Sequence, residues 1–245
     1  ASDVYKRQIL RVSNLSKKIK NRIIIENINF VLNSSEILGL LGPNGAGKTT
    51  TFYTIAGLIK PSKGEIFFNN ENVTDMPMHG RSKLGMSYLP QESSIFLNLS
   101  VKHNILGLAQ LSSPDTNLIK NIFDEVVEEF NLSKILNQKG RELSGGQRRR
   151  VEIARCLVTK PNMILMDEPF AGIDPIAVDD IKKILNKLVT KDISILVTDH
   201  NVGAALEICN RALILSEGKI LAEGSTNELI NNSKVKEVYL GEMYS

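Results

Sequence analysis

The chain has 245 residues, 42 % of them hydrophobic and 23 % charged, with a formal net charge of +3. That balance fits a globular α/β chain with a core large enough to fold without disulfides. The charge is too slight to argue for nucleic acid, and no apolar run approaches the ~18 residues needed to span a bilayer. Cys156 and Cys209 lie far apart, outside any CxxC or Cys/His cluster, and are expected to be buried thiols in a reducing compartment rather than ligands of a structural metal.

The first eight residues, "ASDVYKRQ", begin without Met and read as the translation of a sequencing-adapter DNA. They are expected to be a disordered assembly scar, with native sequence from about Ile9. "ILRVSNLSKKI" and "RIIIENINFVL" then read as two strands, with alternation at Ile23, Ile25 and Ile28. "ILGLL", Ile37 to Leu41, is a compact apolar strand that runs into a Gly-rich turn. "KTTTFYTIAGLI" has helical spacing that stops near Gly57, and "GEIFFNNENV" is another strand.

From about Tyr88 to Lys160 the spacing is helical, in "SVKHNILGLAQL" and "NLIKNIFDEVVEEFNL", and Pro161 breaks it. "NMILMD" and "ISILVTD" are buried strands on either side of a helix, "IAVDDIKKILNKLV". "ALILSEGKILAEG" is a hairpin turning at Glu217-Gly218. The order implies a mostly parallel sheet core over 9–87 and 161–245, a small antiparallel β region near the N-terminus, and an inserted helical subdomain over 88–160.

"GPNGAGKT", Gly42 to Thr49, satisfies G-x-x-x-x-G-K-[ST] between a strand and a helix, the setting that gives the pattern meaning. Backbone N–H groups around Gly45, Ala46 and Gly47 can face a phosphate at a helix N-terminus. Lys48 is expected to reach the β- and γ-phosphates of ATP, and Thr49 to place its hydroxyl on Mg²⁺. Asn44 and Thr50 complete the expected contact set. In "MILMDEP", Asp167 ends a strand where α/β sheets bind ligands and can hold Mg²⁺ through water. Glu168 follows, placed to orient or deprotonate an attacking water.

"LSGGQRRRVEIAR", Leu143 to Arg155, resembles the signature of the ATP-binding cassette (ABC) family, and the motif order matches across essentially the whole chain after residue 8. The resemblance implies a P-loop NTPase (RecA-like) α/β fold, ATP and Mg²⁺ as ligands, and ATP hydrolysis. It implies a homodimer that stacks head to tail, so that Ser144, Gly145, Gly146 and Gln147 of one copy meet the γ-phosphate held by the other. It assigns Gln91 to Mg²⁺ and the lytic water, Asp174 to the link between the two sites, and His200 to sensing γ-phosphate beside Glu168. Ile19 stands where the family usually has an adenine-stacking aromatic, which implies weaker and less selective base binding. His79 and His103 are expected to be surface residues. The consecutive Arg148, Arg149 and Arg150 are expected to form a solvated face with Arg148 paired to Glu152.

The segment between Thr49 and Ser144 has room for a helical subdomain but not for the long coiled coil of chromosome-maintenance ATPases. With one cassette and no membrane segment, the resemblance implies a separate transporter subunit, peripheral on the cytoplasmic face of the inner membrane. Two polytopic membrane subunits are expected around Gln91, Ser93, Ser94, Ile95, Phe96 and Leu97, with no nucleic acid and no direct lipid contact. "YLPQESSIF", "GGQRRRVEIAR", "DEPFAGIDPI", "TDHNV" and "VKEVYLGE" are similar to lipopolysaccharide-export ATPases. The alternatives are the ATPase of a branched-chain amino acid importer and a soluble non-transport ABC ATPase. Leu97, Gln147 and Cys156 depart from the exporter pattern.

Overall fold

The computed structural model describes residues 7–200 and 202–240. A six-stranded sheet carries the molecule. Its strands are β3 (Ile37–Leu41), β6 (Met86–Leu89), β7 (Met163–Asp167), β8 (Ser194–Thr198), β9 (Arg211–Ser216) and β10 (Lys219–Gly224), ordered β10-β9-β3-β8-β7-β6. All neighbours are parallel except the β9–β10 hairpin. Central strands bury both faces, so they read as unbroken apolar runs. Alternate residues serve opposite cores: Met163 and Leu165 on one face, Ile164 and Met166 on the other.

The first face packs against helix α1 (Lys48–Ala56) and a second, antiparallel sheet. That sheet contains β1 (Gln8–Ile19), β2 (Arg22–Asn33), β4 (Lys63–Phe68) and β5 (Glu71–Asn72), in the order β2-β1-β4-β5. The other face receives the helical insert. Its helices α3 (Val101–Ser112), α4 (Thr116–Glu129) and α5 (Gly145–Leu157) share one core with α6 (Pro175–Thr190) and part of α7 (Val202–Ile208). Short helices α2 (Met78–Lys83), α8 (Thr226–Asn231) and α9 (Ser233–Val235), then a π turn at Lys236–Leu240, complete the described chain.

Several expectations need correction. Residues 1–6 lie outside the described residues, but Arg7 and Gln8 are not disordered. The Arg7 carbonyl accepts from the Ser34 N–H at 2.7 Å, and Gln8 pairs with Asn33 in β1. Tyr88 and Leu89 belong to the core sheet, paired with Leu165 and Met166 in β6, so the insert begins only after them. Ile23 is 57 % exposed although Ile25 and Ile28 are buried. Asn27, with φ 54°, marks a bulge in β2 that turns both buried isoleucines inward and leaves Ile23 at the hairpin tip. Glu129, at the end of α4, is half-buried and meets Lys191 at 2.7 Å and Lys187 at 3.5 Å. His79, on α2, and His103, on α3, are exposed, as expected.

Candidate nucleotide site

The loop from Gly42 to Gly47 joins the C-terminal end of β3 to α1. Gly47 has φ 98°, and a Cβ there would lie 2.6 Å from Ile25 Cγ2, so only glycine lets the loop pass under β2. Lys48 is buried, and its Nζ donates to the carbonyls of Gly42 at 2.7 Å and Pro43 at 3.0 Å. Burial lowers the Lys48 pKa, opposed by the negative charges of Glu168 and Asp167. Thr49 is exposed at the start of the helix. It lines a cavity of about 340 Å³ with Asn44, Gly45, Gly47, Lys48, Thr50 and His200.

Across the sheet, Asp167 ends β7 and is buried, and its Oδ1 accepts from the Thr198 hydroxyl at 2.7 Å. Glu168 follows in a left-handed backbone conformation, φ 47°, which few non-glycine residues adopt and which recurs at functional sites. Its Oε1 lies 2.6 Å from His200 Nε2, just beyond β8, and its Oε2 accepts from Gln91 Nε2 at 2.7 Å. Three residues distant in sequence thus converge at the ends of β6, β7 and β8. Burial raises the Glu168 pKa; His200 opposes this, while Asp167 and Asp199 add to it.

Ser144 caps α5. Its Oγ accepts from the Gln147 N–H at 3.3 Å, and Gln147 Oε1 accepts from the Ser144 N–H at 3.0 Å, a reciprocal capping box. A Cβ on Gly146 would lie 2.5 Å from Ala177 Cβ, so this glycine lets α5 and the start of α6 touch. Asp174 caps α6 through Ala177 N–H at 2.9 Å. Ser144–Gln147 line neither cavity beside the phosphate loop; within one chain these two parts of the predicted site stay apart. Ile19 is 47 % exposed at the end of β1.

Arg149 and Glu152 are not legible in the sequence as site residues. Both are buried, paired at 3.0 Å, which corrects the expected Arg148–Glu152 pair and the solvated Arg face. Arg149 also donates to the Pro90 carbonyl at 2.9 Å and the Asp167 carbonyl at 3.3 Å. Glu152 Oε1 accepts from Ser93 Oγ at 2.8 Å and the Ser94 N–H at 3.1 Å. The loop carrying Gln91 is thereby fastened to α5 and to the end of β7. Three consecutive arginines fan about 100° apart on a helix, so one points inward, but the sequence does not say which. Arg150 instead reaches Asp180 at 3.2 Å.

Beyond that loop, Ile95 is buried and corrects its expected exposure to a partner: it anchors the turn in the helical core. Phe96, Leu97 and Leu99 are exposed at 61 %, 46 % and 43 %. Buried Asn104 holds the turn beneath them, accepting from the Phe96 N–H at 2.8 Å and donating to the Phe96 carbonyl at 3.0 Å. Cys209 is buried, but Cys156 is only half-buried. Burial still pushes the Cys156 thiol up to about 11 and that of Cys209 to about 12.

A phosphate loop, a carboxylate pair at the neighbouring strand end and a capped Ser-Gly-Gly helix on an inserted helical subdomain define an ATP-binding cassette. The sequence model of the ABC transporter family matches residues 25–171, and the chain belongs to that family. It is 48 % identical over 237 residues to the lipopolysaccharide export system ATP-binding protein LptB of Haemophilus influenzae, covering 96 % of this chain and 98 % of that protein. It is 45 % identical over 234 residues to LptB of Escherichia coli K12, covering 95 % and 97 %. Among solved structures, the ADP form of MJ1267, an ATP-binding cassette of an ABC transporter, superposes with a TM-score of 0.87 at 29 % identity, covering 96 % of this chain and 99 % of that one. Dimeric MJ0796, a bacterial ABC transporter cassette, has a TM-score of 0.77 at 25 % identity, covering 89 % and 99 %.

Proposed function

We infer that this chain is the ATP-hydrolysing subunit of a lipopolysaccharide exporter, working as a homodimer on the cytoplasmic face of the inner membrane. The observation that carries this reading is the 45–48 % identity to LptB over nearly the full length of both chains. No helix among the described residues is long and apolar enough to cross a membrane. The LptB relatives are the ATP-binding proteins of an export system, and membrane subunits supply the passage.

ATP lies with its phosphates on the loop from Gly42 to Thr50, and Lys48 exchanges its two carbonyl partners for phosphate oxygens. The residues fit Mg²⁺. Thr49, Gln91 and Asp167 offer oxygen donors, and no cluster of three or more His, Cys, Asp or Glu among the described residues forms a metal cage. A Mg²⁺ site completed by phosphates has this character. When bound, the ion neutralises charge on the phosphates. Glu168 orients the attacking water and accepts its proton, while Gln91 and His200 fix the carboxylate. A carboxylate oxygen accepts more than one hydrogen bond, so both contacts are compatible with a water at the same group.

Ser144–Gln147 of a second copy closes over the γ-phosphate, because this anion-binding helix start has no phosphate of its own chain in reach. The dimer formed by MJ0796, a cassette of the same fold, supports such pairing. Closure moves membrane subunits seated near Phe96 and Leu97. The test is purification of the tagged chain from detergent extract of its own cell. Two polytopic subunits should copurify, and lipopolysaccharide should stimulate ATP hydrolysis by the complex. Amino-acid-dependent stimulation, or active ATPase with no membrane partner, would refute the exporter reading.

A further inference from the structure

Glu168 stands in a backbone conformation that its own sequence opposes. Its φ is 47°, and Pro169 follows it. The proline ring pushes the residue before it towards extended backbone, with φ near about −120°. A strained residue of this kind persists only where its surroundings over-determine it. Here the end of β8 supplies them.

Glu168 to Ala171 form a turn closed by the Ala171 N–H, which donates to the Glu168 carbonyl at 3.2 Å. At the start of the turn, the Glu168 N–H donates to the Thr198 carbonyl at 2.9 Å. The N–H of Phe170, third in the turn, has no acceptor inside it. Phe170 is buried, so this donor needs a partner from elsewhere. It donates to Oδ2 of Asp199, itself buried, at 3.1 Å. Two consecutive residues thus hold the turn at two points, Thr198 by its carbonyl and Asp199 by its carboxylate. Only the second can be removed by substitution. Burial of the Phe170 ring in the helical core sets where the turn lies, but not how the peptide before the ring is rotated. That rotation decides where the Glu168 side chain leaves the backbone. In the rotation observed, its carboxylate meets His200 at 2.6 Å and Gln91 at 2.7 Å.

We propose that Asp199 is a positioning residue for hydrolysis. Its hydrogen bond from the Phe170 N–H keeps Glu168 left-handed and so keeps the Glu168 carboxylate between Gln91 and His200, aimed at the attacking water. Asp199 acts through Glu168 and not on the nucleotide. The inference rests on the role given to Glu168 in the reading above.

The test is steady-state ATP hydrolysis by the full chain, with calorimetric binding of a non-hydrolysable ATP analogue measured alongside. Asp199→Ala removes the acceptor and should lower kcat about 10- to 100-fold, the cost of a misplaced reacting group. KM and analogue affinity should change by less than about twofold, because no ground-state contact with the phosphates is lost. Asp199→Ser keeps a polar group that falls short of the Phe170 N–H. It should show the same loss as Ala and serves if the Ala variant does not fold. Asp199→Asn keeps an oxygen in place, a weaker acceptor than a carboxylate, and should return kcat to within about threefold of the unchanged chain. A loss with Asn equal to that with Ser, a rise in KM that matches the fall in kcat, or unchanged kcat in the Ala and Ser variants would overturn the tether. Glu168→Gln separates the two levels of the argument. It should abolish hydrolysis, and full turnover in that variant would overturn the role of Glu168 itself, whereas unchanged kcat with Asp199→Ser overturns only the tether.

Discussion

Replacing Glu152 by Gln removes one charge from the Arg149–Glu152 pair while keeping the side-chain shape. Both partners are almost inaccessible, 5 % and 3 % exposed, so solvent offers little screening. Stripping one partner from a buried pair typically costs ~3–5 kcal/mol, mostly through the charge left behind. Here two features reduce that. Arg149 keeps the carbonyls of Pro90 and Asp167, and the amide oxygen of Gln can still accept from Ser93 and Ser94. The expected cost is therefore about 2–3 kcal/mol, each net hydrogen bond retained being worth ~1 kcal/mol. For a chain of this size that lowers Tm by about 5–10 °C, measurable by calorimetry. ATP affinity should stay near that of the unchanged protein, because no phosphate-loop contact is touched. Stimulation of hydrolysis by membrane subunits should fall only in part, because Gln91 and the Phe96 turn stay tied to α5 through Pro90, Ser93 and Ser94 while the charge that stiffens the tie is lost. The paired substitution Arg149→Met with Glu152→Leu leaves no buried charge but strands the carbonyls of Pro90 and Asp167 and the donors of Ser93 and Ser94, so it should cost less than the sum of the two single substitutions without restoring full stability. A cost under about 0.5 kcal/mol for Glu152→Gln, or no coupling between the two positions, would refute the reasoning.

Glu168→Gln should bind ATP and accumulate as a closed dimer with Mg²⁺; light scattering that shows only monomer would contradict the head-to-tail arrangement. Gly146→Ala should destabilise the α5–α6 contact by ~1–3 kcal/mol, because its Cβ would fall 2.5 Å from Ala177 Cβ, and Ala177→Gly should restore the loss in a urea melt. Phe96→Ala should leave ATPase of the free subunit nearly intact and weaken copurification of membrane subunits; equal loss of both would make Phe96 a folding residue only. The thiols give a pH test. Cys156 and Cys209 titrate near 11 and 12 in the fold against an ordinary 9, so the folded chain holds these protons more tightly. Their contribution to stability is complete below pH 9 and declines as pH rises through 11–12, and denaturant midpoints should fall across that window. Iodoacetamide at pH 8 should modify the native protein slowly and the unfolded chain fast.

The nucleotide half of the site is legible in the sequence because its chemistry is local. A phosphate loop needs a strand, glycines and a helix in one stretch, and Asp167-Glu168 sits at the end of an unmistakable apolar strand. The linking half is not. The four residues of β6 adjoin a strongly helical segment, and their pairing with β7 is decided 77 positions away, as Met86↔Met163. Helix α7 is hidden because "VGAALEI" contains Gly203 and small residues with little amphipathic contrast. Arg149 stands in a run of like charges that reads as solvated, and only the crossing of α5 over the β6–β7 edge selects it for burial. Ile95 reads as outward with its neighbours because a single residue in a loop carries no period. Register shifts in β1–β2 likewise separate Ile23 from Ile25, which strict alternation places together.

The Asn104 clamp has a thermodynamic consequence of its own. Its amide nitrogen donates to the carbonyls of Phe96, Leu99 and Ser100, while its oxygen receives the Phe96 N–H. Phe96, Leu97 and Leu99 are thus displayed from a backbone that is already frozen. Covering such a ridge costs only rotamer freedom, about 0.5–1.5 kcal/mol per side chain, and no loop ordering. Loosening the turn by Asn104→Ala would leave every contacting side chain in place and still raise the entropic cost of docking.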